Sequence, residues 1–196
     1  MNRLLPYQSG LVRPLDPFTR YDVVHTRQFN DRTLSLRPLY LEQDMELIHK
    51  WVKKEYSSPA NKHLPYHDII QTLIHVAHSD FAQVFTVLQL DTPISQVEIY
   101  SAQYEEVSLY AKCLPGDYIV YFTLHNKDYV ELTKEITATC TEYFLMHQEV
   151  RRIFVLGEEN DQELLNTIGF SSYWKGEINK REARLYLYGE KGVSSV

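Results

Sequence analysis

The side chains able to move protons or bind metal fall into a few local groups. His63 and His67 stand four residues apart, the spacing that puts two ligands on one helix face, but Pro65 lies between them and breaks such a helix. His75 and His78 are three apart with no acidic or sulfur partner at matching spacing, and Cys113 and Cys140 fit no CxxC pattern. These spacings predict no metal site. The adjacent acids Glu158 and Glu159 offer different chemistry: a carboxylate there can act as a base if burial raises its pKa. The same two acids also suit a plain helix start, as cap and dipole charges. Tyr121, inside a β-branched and aromatic run, is either a proton donor or one of many core rings, since the chain has 15 tyrosines.

The elements that must position these groups are legible from periodicity. Leu34 and Leu36 alternate with Thr33, Ser35 and Arg37 in a short strand that Pro38 closes. Leu41, Met45, Ile48, Trp51 and Val52 recur at helical intervals, with Glu42 and Asp44 early and Lys50, Lys53 and Lys54 late, as the helix dipole favours. A second helix is expected over 66–78. Strands are expected over 84–90 and 94–100, turning at Asp91-Thr92-Pro93, with a third over 118–124 after Gly116-Asp117. Leu132, Ile136, Thr139, Cys140, Tyr143 and Phe144 mark the inner face of a helix over 130–146. A strand over 152–156, a short helix over 162–167 with Gly169 as its C′ residue, and a hairpin of 170–178 with 181–188 complete the chain. A helix between the 118–124 and 152–156 strands makes them a parallel βαβ pair, whereas the hairpins are antiparallel. The fold class is α+β.

Length and composition bound the rest. The 196 residues are 44% hydrophobic and 13% aromatic, enough for a sizeable core in a single domain. Residues 1–30, with Pro6, Pro14 and Pro17, read as an extended arm, residues 31–190 as the domain and residues 191–196 as a tail. Lys plus Arg number 20 and Asp plus Glu 26, a net charge of −6 without basic clustering, which argues against a nucleic-acid partner. Apolar stretches interrupted by charge argue against a membrane partner, and two cysteines with no signal-peptide run lead us to expect a reducing cytoplasm.

Several motifs, in order, resemble the acyl-CoA-dependent GNAT N-acyltransferases, and within them the branch that acylates hydroxylysine or related amines in siderophore biosynthesis. They are Leu34-Ser-Leu-Arg-Pro-Leu-Tyr-Leu-Glu-Gln-Asp-Met-Glu-Leu-Ile-His-Lys-Trp51, Gln96-Val-Glu-Ile-Tyr100, Pro115-Gly-Asp117, Ile168-Gly-Phe170 and Gly176-Glu-Ile-Asn-Lys-Arg-Glu-Ala183. The resemblance implies a mostly antiparallel sheet with a central parallel pair splayed at its C-terminal end. It also implies acyl-CoA, most simply acetyl-CoA, as co-substrate, a small amine or hydroxylamine as acceptor, and no metal. On that alignment Phe122, Thr123 and Leu124 supply backbone N–H groups to the thioester, and Lys127 is a further cofactor contact. Trp51, Gln96, Glu98 and Tyr100 border the acceptor, and Glu158 and Tyr121 are the proton carriers.

The departures are specific. The family's glycine-containing phosphate loop is replaced by His125-Asn-Lys-Asp-Tyr-Val-Glu-Leu132, in which Asp128 and Glu131 would occupy the positive end of the helix dipole. The branch's strand histidine falls on Tyr121, and the tyrosine common before the Gly-Phe ending falls on Leu165. An alternative reading is therefore a GNAT-fold binding or interaction module without acyl transfer.

Overall fold

The computed structural model describes residues 11–12, 22–53, 66–124, 131–178 and 181–189, with backbone alone for 52–53, 123–124 and 181. Its strands are β1 (His25–Gln28), β2 (Thr33–Pro38), β3 (Ala82–Gln89), β4 (Thr92–Ser101), β5 (Asp117–Leu124), β6 (Arg152–Gly157), β7 (Ser171–Ile178) and β8 (Arg181–Gly189). Its helices are α1 (Leu41–Lys53), α2 (Tyr66–Ala77), α3 (Thr133–Leu145) and α4 (Gln162–Ile168). The strands form one sheet in the order β1-β2-β3-β4-β5-β6-β8-β7, in which β5 and β6 pair in parallel and every other neighbouring pair is antiparallel. This is the expected α+β architecture. None of the described helices is long and apolar enough to cross a membrane.

Alternation along the strands sends side chains to two covered faces. On one, Leu34, Leu36, Phe85, Val97, Val120, Ile153 and Val155 pack beneath α3 and α4, whose Ile136, Cys140, Phe144 and Leu165 are buried against them. On the other, Val84 lies under Leu41, Ile48 and Trp51 of α1 and Ile69 and Leu73 of α2, while Ile119, Phe154 and Leu185 lie under Val107 and Ala111.

Two buried ion pairs tie the layers together. Arg37 donates to both carboxylate oxygens of Asp44, at 2.7 and 2.6 Å, and Asp44 also accepts from the Tyr40 N–H and the Thr86 hydroxyl, so α1 is pinned to β2 and β3. Arg152, at the start of β6, donates two bonds to Asp117, at the start of β5, which also accepts from the Leu114 N–H at 2.7 Å. The turn before it needs Gly116: its φ is +91°, and an added Cβ would stand 2.6 Å from the Glu149 carbonyl oxygen.

Two features depart from the sequence reading. The hairpin turns at Leu90 and Asp91, both at positive φ, so Thr92 and Pro93 already belong to β4. Pro93 stands opposite Leu88, where the register slips between Val87 and Leu88, the kind of irregularity at which a strand accommodates proline. The end of the expected arm also joins the sheet, with His25–Gln28 pairing with Leu36–Thr33. The segment His-Thr-Arg-Gln carries no apolar residue, so periodicity could not reveal it.

His25 within β1 is enclosed, its side chain 9% exposed, with Nε2 lacking a hydrogen bond and 3.8 Å from Glu142. Burial lowers its pKa, Glu142 opposes this and Arg27 reinforces it. The unfolded chain therefore binds the proton more readily. Stability is full above the ordinary histidine pKa of about 6.5 and falls as pH drops through the lowered folded value. Urea midpoints measured from about pH 7.5 down to about pH 5 should fall less steeply in His25→Gln than in the parent.

Candidate active site

Parallel pairing between β5 and β6 runs from Asp117–Arg152 to Val120–Val155 and stops. Each strand continues on its other side: β5 pairs with β4 as far as Leu124–Ser95, and β6 with β8 as far as Gly157–Arg184. The sheet is therefore split between its central strands from Tyr121 and Leu156 onward. Alternate residues of a strand turn their N–H and C=O to the same side, so part of the 121–124 backbone faces this gap without a β6 partner.

A cleft lies on each face of the sheet. That on the α3 side, about 240 Å³, is lined by Phe122, Thr133, Thr137, Leu164 and Leu165, and that on the other side by Glu106, Tyr110, Trp174, Ile178 and Leu185; both reach Tyr121 and Leu156. The split is thus the place where material held on opposite faces can meet.

Four polar side chains gather beside it. Register places Glu98 opposite Tyr121, Gln96 opposite Thr123 and Tyr100 opposite Ile119, so Gln96, Glu98, Tyr100 and Tyr121 share one face. Gln96 Nε2 donates to Glu98 Oε1 at 2.6 Å, and the Tyr100 hydroxyl donates to Glu98 Oε2 at 2.5 Å. The rings of Tyr100 and Tyr121 meet edge to face, with centroids 5.8 Å apart. Beyond Tyr100 the chain forms two short 3₁₀ turns, Ala102–Tyr104 and Glu106–Leu109, which bring Glu105 back over β5. The Tyr121 hydroxyl donates to Glu105 Oε2 at 3.2 Å.

The electrostatics separate the roles these groups can play. Burial, reinforced by repulsion from Glu98 and Glu106, pushes the Glu105 carboxyl above its ordinary value, and the Tyr121 hydrogen bond opposes this. Burial and the charge of Glu105 push the Tyr121 hydroxyl far up, so it stays protonated and donates to Glu105. Tyr100 is driven the same way by burial and Glu98. Among the described residues no lysine or arginine pairs with Glu98, Glu105 or Glu106, whereas Asp44, Asp117, Glu142, Glu159 and Glu182 each have one.

The structure therefore brings together Tyr121, Gln96, Glu98 and Tyr100, with Phe122 on the opposite face. Thr123 and Leu124 continue the strand, and Lys127 lies outside the described residues. Trp51 is 8% exposed, a core position within the α1–α2 cluster, and Tyr100 packs against that cluster. Glu158 is exposed and its carboxylate accepts from the Asp161 N–H in a capping box, so it lacks the burial on which its base role depended. Sequence reasoning missed Glu105. The chain has two Glu-Glu pairs, Glu105-Glu106 and Glu158-Glu159, and only the fold of the 3₁₀ turns tells which one covers the sheet. Among the described residues no group of three or more His, Cys, Asp and Glu is placed to hold a metal ion.

Residues 40–168 match the acetyltransferase (GNAT) domain model. The chain belongs to the GNAT acetyltransferase family. A search of curated proteins found no sequence match. Among solved structures, an uncharacterised Bacillus halodurans protein superposes with a TM-score of 0.71 at 15% identity, over 85% of this chain and 91% of that one. The aminoglycoside acetyltransferase AAC(6')-Ib, in complex with coenzyme A and kanamycin, gives 0.68 at 13% identity over 81% and 95%. A Vibrio cholerae spermidine N-acetyltransferase with CoA and spermine gives 0.61 at 13% identity over 79% and 94%. At such identities the likeness establishes the fold, and the split central strands are the feature of this GNAT domain around which the polar cluster is built.

Proposed function

We propose that the protein is an acyl-CoA-dependent N-acyltransferase for a small cationic amine. The observation that carries this reading is the junction of the two clefts at Tyr121 and Leu156, where β5 and β6 part. The cleft beneath α3 and α4 suits the slender pantetheine arm, which unpaired β5 backbone can hydrogen-bond as a missing strand would. Acyl-CoA would supply the activated thioester, with Phe122, Thr123 and Leu124 along its edge and Lys127 as a further contact.

The acceptor enters from the opposite face, bordered by Gln96, Glu98 and Tyr100. Carboxylates without cationic partners among the described residues favour an ammonium there. Glu105 takes a proton from the ammonium, and the free nitrogen attacks the thioester carbonyl. As the C–N bond forms and the C–S bond breaks, Tyr121 gives its hydroxyl proton to the leaving sulfur and is refilled from protonated Glu105. The remaining proton lost by the nitrogen goes to solvent. Direct transfer of this kind draws mainly on orientation and on proton placement.

The ordered motifs that resemble the siderophore branch support a side-chain amine or hydroxylamine of an amino acid as the acceptor, and the carboxylates weight this toward the amine. Acetyl transfer to lysine should therefore exceed transfer to N6-hydroxylysine in kcat/KM. Equal rates, or a preference for the hydroxylamine, would count against the charge argument. Coenzyme A should bind more weakly than in relatives with a glycine loop, and Asp128→Asn combined with Glu131→Gln should tighten it. A carboxylate close to a ligand that carries several negative charges matters by about 0.3–1 kcal/mol, and an unchanged calorimetric Kd would reject that account.

A further inference from the structure

We propose that Trp174 is the specificity-determining wall of the acceptor cleft, admitting slender unbranched amines and turning away branched or ring-bearing ones. The inference rests on the acceptor entering on the Glu105 face, as proposed above. Gly176 is the first observation behind it. A Cβ added there would stand 2.1 Å from Trp174 Cζ2 and 2.4 Å from Cη2, so the indole lies down across Gly176. Side chains two apart on a strand ordinarily stand side by side, and only the missing Cβ lets this ring fall along the strand.

Strand β7 is the edge of the sheet, and its register against β8 slips between Ser172 and Trp174, an irregularity of the kind that re-aims a side chain. Trp174 then reaches Tyr110, which comes from the segment after β4, with ring centroids 4.8 Å apart and planes tilted by 38°. The two rings bridge elements that are otherwise on opposite sides of the cleft. Behind them the space is only about 20 Å³, close to one water-sized sphere, against about 240 Å³ on the α3 side. A methylene chain is the slimmest carbon skeleton that can follow an ammonium into so small a space. A branched or cyclic carbon skeleton does not pass unless the indole moves.

The test compares acetyl transfer from acetyl-CoA to n-butylamine with transfer to benzylamine and cyclohexylmethylamine. The parent should prefer n-butylamine, and Trp174→Ala should shift the kcat/KM ratio toward the ring amines by roughly 10-fold or more, within the range a reshaped apolar pocket commands. Gly176→Ala keeps the indole but displaces it, so it should relax selectivity in the same direction and shift the tryptophan emission. Should Gly176→Ala fail to fold, Trp174→Ala decides, because it removes a half-buried ring from an edge strand. A parent that transfers acetyl to n-butylamine while the ratio is unmoved in Trp174→Ala overturns this inference alone. A parent that already takes ring amines equally well also overturns it. A folded parent that acetylates no amine overturns the proposed function and this inference with it.

Discussion

Glu105→Gln should lower kcat for acetyl transfer by roughly 100-fold or more while leaving the Kd for acetyl-CoA nearly unchanged, the pattern of a lost general base. The substitution keeps the size of the side chain and its capacity to accept from Tyr121, and removes only the ability to take a proton. The pH dependence gives a second reading of the same group. Burial and the neighbouring Glu98 and Glu106 raise the Glu105 pKa, so the carboxylate forms, and kcat/KM climbs, at a higher pH than for an ordinary glutamate. That limb should vanish in Glu105→Gln. Tyr121→Phe should have a smaller effect and leave the limb in place, since it removes a donor and keeps the packed ring. Full activity in Glu105→Gln would show that the base lies elsewhere, with Glu158 the next carboxylate to test.

The largest expected loss of stability is at the base of the split. In Arg152→Met, Asp117 is left 1% exposed, holding the Leu114 N–H but no guanidinium. Removing one partner of a buried ion pair costs about 3–5 kcal/mol, because the remaining charge stays out of water without compensation. A second substitution, Asp117→Leu, should recover much of that loss, since a buried pair replaced by apolar groups is often near neutral. Urea unfolding of both variants checks this. A loss under about 1 kcal/mol in Arg152→Met would mean that the pair does not hold β5 to β6.

These predictions differ in how far the sequence anticipates them. The strands and helices around the site are legible because their burial is one-sided: Leu132, Ile136, Cys140, Tyr143 and Phe144 recur at helical spacing and all five are buried. The parallel relation of β5 and β6 follows from the helix between them. Tyr121, Glu98 and Tyr100 are also legible, because they sit at defined registers in regular strands whose alternation assigns a face. Glu105 is different. It stands between two 3₁₀ turns with no periodic signature, and what brings it to Tyr121 is the path of an irregular segment folded over Ala102 and Val107, both buried. Glu158 shows the complementary difficulty: an acid pair opening a helix has the same sequence pattern whether it performs chemistry or caps a turn. Trp174 was hidden because its orientation depends on the empty space at Gly176.

Direct acyl transfer across the split between β5 and β6 is tested most directly by amine-dependent release of free coenzyme A thiol from acetyl-CoA by the parent protein. The account predicts thiol release that saturates with a small primary amine, is matched by acetylated amine in equal amount, and is lost in Glu105→Gln. Thiol release no faster than the uncatalysed reaction across lysine, n-butylamine and hydroxylamine-bearing acceptors, from a protein shown to be folded, would contradict it.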